Sequence, residues 1–281
     1  QKINCGDKYP EQNGDNQLSA HRCRPKGINN LFVLGPCADL SFAEAEQLMR
    51  PPTSELLGQQ VGQVASDVAR ERKGNAIFPT TNALSAPTDD QRYLNHGIRS
   101  HQITTERMAN ISTSPADWGH YDVIVVGGGT SGACAAIGAL RQNRTVLVIE
   151  YQEGLGGTGT LGLIGKPHHG QHSGFTCEVP FMSETFPPED KMEWYRQQIR
   201  TAGGDIWLNT LAYGTYVQDT TVNGVLVATE QGHGVVKAHT VIDATGNADI
   251  AAAAGVPCRY GDDPHDIAMQ GAGLPPRNLE S

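Results

Sequence analysis

The chain has 281 residues, 38% of them hydrophobic, with 33 Gly and 16 Pro, which suits one large or two modest domains rich in loops. Its 30 acidic against 21 basic residues give a formal charge of −9 with no basic cluster, which disfavours nucleic acid and anionic membranes as partners. No apolar run of about 18 residues occurs, so no membrane-spanning helix is encoded.

From the N-terminus, 1–22 is polar and reads as loop. A turn over Pro25–Asn30 leads into an apolar strand, Leu31–Leu34, that ends at Gly35. Thr53–Arg70 carries Leu56, Leu57, Val61, Val64, Ala65, Val68 and Ala69 at helical spacing, with Thr53 as expected N-cap and Glu55 in the first turn. Gly58 and Gly62 lie four apart on that helix and admit either another backbone or a flat ligand. Residues 71–120 lack a clear period and read as a surface-crossing linker with a short helix near Asp89–His96. The Asn110–Ser112 triplet within it carries little weight.

Tyr121–Glu150 organises the chain. Tyr121–Val126 is a short β-branched run that reads as a buried parallel strand. Gly127, Gly129 and Gly132 follow in G-x-G-x-x-G spacing, Ala133–Leu140 is a small-residue helix, and Thr145–Ile149 is a second strand ending on Glu150. Each part has a physical task in holding a dinucleotide. Gly127 permits the tight turn, Gly129 lets backbone approach a pyrophosphate, and Gly132 lets helix and strand pack closely. The helix N-terminus, with Thr130 and Ser131, turns N–H groups and a positive dipole end to phosphates. Glu150 accepts hydrogen bonds from a ribose diol.

A second glycine-rich loop follows over Gly154–Gly165, and its Gly156, Gly157, Thr158, Gly159 and Thr160 suit a diphosphate or a sugar chain. His168, His169 and His172 come next. No ligand set at zinc spacing accompanies them, so they read as a surface loop or as one lining a substrate pocket, with an imidazole as proton donor or acceptor. The six cysteines show no C-x-x-C pair; Cys134 reads as a small packing residue, and any disulfide is left unpaired by the sequence. Pro188–Ala202 is an amphipathic helix with Met192, Tyr195 and Ile199 on one side, stopped by Gly203–Gly204. Ile206–Asn209, Ala212–Gln218, Gly224–Thr229 and Val235–Ala238 then read as an antiparallel meander. Thr240–Asp243 is a further strand that runs into Ala244, Thr245 and Gly246, and Asp249–Ala254 is a small-residue helix.

The order strand–GGGTSG–helix–strand–Glu150, then GGTGTLG, a helix, a meander and VIDATGNAD, resembles FAD-dependent oxidoreductases of the two-dinucleotide-binding-domain type. That resemblance covers Tyr121 to about Arg259. It implies an α/β Rossmann-like FAD-binding fold, a parallel sheet with an antiparallel β-meander. It implies that Gly127, Gly129 and Gly132 hold the FAD pyrophosphate and Glu150 the adenosine ribose. Gly157, Thr158 and Thr160 would lie along the pyrophosphate and ribityl chain. Ala244, Thr245, Gly246 and Asp249 would stand on the adenosine side. Asn247 stands where the family usually has Asp.

Pro25–Arg70 is similar to the segment that closes the same fold, which points a helix N-terminus at the flavin. That likeness makes Asp39 a ribityl ligand and adds Gly58 to the cofactor-binding positions. The expected division is 1–70 as a closing segment, 71–120 as linker and 121–281 as the opening FAD-binding half. The chain is then either circularly permuted or split across two tandem copies, and the complementary segments favour permutation. The family's substrate domain lies between these segments. Only 26 residues follow Gly255, so a second polypeptide, cut from the same precursor, is expected to supply it. The chain looks processed, which favours a secreted or periplasmic location. The activity implied is hydride transfer from an organic, sugar-like substrate to flavin. A non-catalytic electron-relay subunit and a nicotinamide-dependent dehydrogenase are the rival readings.

Overall fold

The computed structural model describes residues 19–35, 38, 40, 44, 47, 48, 50–72, 115–165, 173–179 and 187–258. Among them, seven strands form one sheet: β1 (Leu31–Val33), β2 (Ala116–Val126), β3 (Val146–Ile149), β4 (Asp205–Trp207), β5 (Leu211–Gln218), β6 (Thr221–Thr229) and β7 (Gly232–Asp243). The order is β4–β3–β2–β7–β6–β5, with β1 also paired to β7. Strands β4, β3, β2, β7 and β1 run parallel, while β5, β6 and β7 make an antiparallel meander. The helices are α1 (Pro51–Arg72), α2 (Thr130–Leu140), α3 (Pro188–Thr201) and α4 (Asp249–Ala253). This is the expected α/β class, a mostly parallel sheet with a meander.

The parallel strands are apolar at consecutive positions because both of their faces are covered. Phe32, Val123, Val125, Val146, Val148 and Ile242 face α1, α2 and α3. Their alternates Leu31, Val33, Ile124, Val126, Leu147 and Ile149 face Val222, Val225, Val227 and Val236 of the meander and Ile250 of α4.

Three expectations shift. The separate strands Val235–Ala238 and Thr240–Asp243 are one strand, β7, whose first half pairs with β6 and whose last residues pair with β1. The polar residues that suggest a break are accommodated: Lys237 pairs with Asp117 of β2 at 2.8 Å, and His239 and Thr240 are buried in the strand. That neighbouring cation, with the Gly119 N–H, holds the Asp117 carboxyl below its usual value. Residues Ala116–His120, expected as linker, are strand because they pair with β7, and Trp118 covers Gly234 and meets Trp207 edge-on at 6.0 Å. Finally, α1 begins at Pro51 rather than at a Thr53 cap. Proline at the first helical positions brings a preset φ and has no N–H to satisfy, so no side-chain cap is needed there.

Helices α1 and α2 lie backbone to backbone. A Cβ on Gly58 would overlap the Ser131 carbonyl, one on Gly62 the Ala135 carbonyl, and one on Gly138 the Gln59 carbonyl. Ser66 Oγ donates to Gly62 O at 2.9 Å and reaches Ala139 O at 3.2 Å, tying the pair together. Of the two openings left for Gly58, its surroundings are those of close helix packing, so Gly58 leaves the cofactor-binding set. At its other end α1 is anchored by Arg72, which donates to His239 O and to Asn223 Oδ1 on the meander.

Helix α3 ends in a Schellman motif: Gly203 N–H donates to Arg200 O at 3.0 Å and Gly204 N–H to Ile199 O at 2.9 Å. Gly203 has φ +83° and nothing within 4 Å of where a Cβ would sit. Gly203→Ala should therefore cost about 1 kcal/mol from backbone strain alone. Urea unfolding would check it, with the slope unchanged.

Candidate functional site

The C-terminal ends of β3, β2 and β7 stand side by side, with Ile149, Val126 and Asp243 in register. The chain leaves β2 through α2 to reach β3 on one side, whereas β7 lies on the other side. Such a reversal of strand order opens a crevice at the carboxyl ends of the strands. Gly127 N–H donates to Ile149 O and Ala244 N–H to Val126 O, both at 2.8 Å, so the first turn and the ATG loop leave the sheet next to each other.

The three glycines of the turn meet different surroundings. A Cβ on Gly132 would overlap the Gly127 carbonyl, and one on Gly127 the Ala244 carbonyl, so these two serve packing. Gly129 has no atom within 4 Å on its open side. It is the N-cap of α2, and the first bond of that helix is Ala133 N–H to Gly129 O at 2.9 Å. The amides of Thr130, Ser131 and Gly132 precede that bond, at the end where a helix offers donors and positive potential.

Glu150 is buried at the end of β3. Its Oε2 accepts the Gly128 N–H at 2.7 Å and its Oε1 the Gln152 N–H at 2.9 Å. The second loop is pinned to the first: Gly156 N–H donates to Gly128 O at 2.8 Å and Thr130 Oγ1 to Gly156 O at 3.0 Å. Gly156 and Gly157 take left-handed φ values of +97° and +56° and start a short 3-10 turn, Gly157–Gly159. Thr160 is buried and its hydroxyl bonds Leu155 O, so it braces the loop from inside, while Thr158 is exposed.

In the ATG loop, Thr245 is likewise engaged within the protein. Its hydroxyl donates to Asp243 Oδ1 at 2.7 Å and accepts the Asp249 N–H at 3.0 Å. Exposed Gly246, φ +85°, has open space beside it. Asp243, which sequence reasoning passed over, is the centre of this arrangement. It is fully buried, accepts the Thr245 N–H at 3.1 Å, and through Oδ2 accepts the Ala251 N–H of α4 at 2.8 Å. Burial pushes its carboxyl above the usual value, against the opposing pull of these hydrogen bonds. The available signal was an acid closing the buried Val241–Ile242 end of β7.

Open space over Gly129, the donor amides at the start of α2, and an acceptor carboxylate at the end of β3 fit an adenine dinucleotide such as FAD. The geometry thus gathers Gly127–Gly132, Glu150, Gly156–Thr160 and Ala244–Gly246 with Asp249 at one edge of the sheet. Asp39, His168, His169 and His172 lie outside the described residues.

A family model described as FAD dependent oxidoreductase matches residues 122–274. No curated protein matches. Among solved structures, a geranylgeranyl bacteriochlorophyll reductase-like protein from Thermoplasma acidophilum is 20% identical with a TM-score of 0.40, over 48% of this chain and 42% of that one. THI4 from Thermovibrio ammonificans is 18% identical with a TM-score of 0.40, over 56% and 64%. L-proline dehydrogenase from P. horikoshii is 24% identical with a TM-score of 0.34, over 48% and 26%. This chain therefore spans less than two thirds of the length of each.

Proposed function

Because this chain belongs to the FAD dependent oxidoreductase family, we propose that it oxidises an organic substrate by hydride transfer, its flavin passing the electrons to a second acceptor. FAD is its cofactor, and when bound it supplies the two-electron chemistry. The protein's part is to bind and orient. The amides at the start of α2 would take the diphosphate, the Glu150 carboxylate the ribose diol, and the Gly156–Thr160 loop would close over the chain between them. The observation that carries this reading is the mutual locking of the two glycine loops through Gly128, Thr130 and Gly156, with Gly129 left facing open space.

We include three further assignments. Residues 1–70 act as the closing segment of the same FAD-binding fold; the pairing of β1 with β7 and the seating of α1 on α2 support this over a tandem split. His168, His169 and His172 are the candidates for proton transfer on the substrate side. The location is secreted or periplasmic.

The test is a visible spectrum of the full chain before and after denaturation, followed by anaerobic addition of alcohols and sugars. The reading expects a flavin spectrum that one of these bleaches; a colourless protein that takes up no added FAD would overturn it. Glu150→Gln removes one charged acceptor and sets an amide against the Gly128 or Gln152 N–H. FAD affinity should fall roughly tenfold, the size of one charge-assisted hydrogen bond, as read by flavin fluorescence titration.

A further inference from the structure

Beside the two glycine loops lies a buried ion pair that the assignments above do not use. Lys191 of α3 reaches Glu55 of α1 at 2.9 Å, and the two side chains are 3% and 0% exposed. Tyr195, one turn along α3, donates its hydroxyl to the same Glu55 oxygen at 3.0 Å. Cys134 of α2 closes the group, its thiol 3.9 Å from that hydroxyl. Three helices thus bring one cation, one anion, a phenol and a thiol to a single point.

The place of that point is informative. A Cβ built on Gly159 would stand 3.7 Å from Lys191 Nζ and 3.8 Å from Thr130 Oγ1. The ammonium therefore lies against the far side of the Gly157–Gly159 turn, next to the first residue of α2. At Gly159 the turn carries no side chain between this ammonium and the N-terminal end of α2, where a diphosphate would sit. An ion pair needed solely to join the helices has no reason to lie at that end of their contact. Burying both charges is costly, and such pairs are weak evidence of a gain in stability over apolar packing. A cation held out of water and close to a bound dianion, by contrast, acts on it with little screening.

We propose that Lys191 is a positioning residue for the FAD diphosphate, acting through the Gly157–Gly159 turn, and that Glu55 and Tyr195 hold its ammonium in place. The proposal rests on FAD occupying the site described above. Its diagnostic consequence is that the two members of the pair act on affinity in opposite directions. Removing Lys191 takes away attraction for the diphosphate; removing the Glu55 charge leaves the cation less compensated. A pair that only supports the fold predicts loss from both.

The experiment measures dissociation constants of the full-length apo-protein for FAD, ADP and adenosine in wild type, Lys191→Met, Glu55→Gln and the double variant. Lys191→Met should bind FAD and ADP roughly tenfold more weakly, the size of one charge-assisted contact, and adenosine, which lacks phosphate, as wild type does; the double variant should fall between Lys191→Met and wild type. Glu55→Gln should bind ADP as tightly as wild type or more so. Equal losses for adenosine and ADP, or unchanged ADP binding by Lys191→Met, overturn the assignment. If Lys191→Met does not fold, Glu55→Gln decides alone, and clearly weaker ADP binding there overturns it. A wild-type chain that takes up no FAD contradicts the functional reading itself, an outcome distinct from these.

Discussion

Gly62→Leu should lower the unfolding free energy by about 3 kcal/mol, at the upper end of the range for overpacked cores, and weaken FAD binding with it. Helix propensity argues the other way, since leucine is better than glycine inside a helix by somewhat under about 1 kcal/mol. Packing prevails because the obstacle is backbone. A Cβ at Gly62 would overlap the Ala135 carbonyl oxygen and come within 2.9 Å of Ala139 N. No rotamer change relieves that contact; α1 must move off α2. The Ser66 hydroxyl would lose its grip on Ala139 O, and the start of α2, whose amides are proposed to take the diphosphate, would shift. Urea unfolding combined with flavin titration checks both effects. Stability within about 0.5 kcal/mol of wild type would mean that the helices do not meet at this glycine.

Asp243→Ala is expected to cost about 2–4 kcal/mol, since it strands a hydroxyl and two backbone N–H groups inside the protein. The loop over Ala244–Gly246 would lose its tie to α4, and FAD affinity should fall together with stability. The dependence on pH follows from the raised carboxyl. Its folded value lies above its unfolded one, so the folded chain holds this proton more tightly than the unfolded chain does. The contribution of Asp243 is then fully present below the unfolded value of about 3.9 and is lost as pH rises through the folded value. The stability gap between wild type and Asp243→Ala should be widest in acid and narrow on going to neutral pH. Urea melts of both proteins across that range would show it, because other titrating groups cancel in the difference. A gap that widens with pH would contradict the assignment of burial as the dominant cause.

Much of the site was written in local sequence. The spacing of Gly127, Gly129 and Gly132 between an apolar strand and a small-residue helix, with Glu150 ending the next strand, needs only neighbours in the chain to be recognised. The same holds for Gly203–Gly204 stopping α3 and for the β5–β6 hairpin. Periodicity and turn chemistry act over a few residues, so they survive without knowledge of the fold.

What the sequence by itself determined, then, was the α/β class, the order of the βαβ unit, and the FAD family to which the chain belongs. Tertiary structure alone decided the rest, because each remaining feature depends on a partner far away in the chain. Whether Gly58 faced a ligand or a helix was settled by Ser131, and the continuity of β7 by Asp117 and β1. Asp243 was a strand end until the amide of Ala251 met its carboxylate, and Glu55 was an ordinary first-turn acid until α3 brought Lys191 to it. A charge pattern along the chain records which residues can pair, but only packing fixes which of them are taken out of water together.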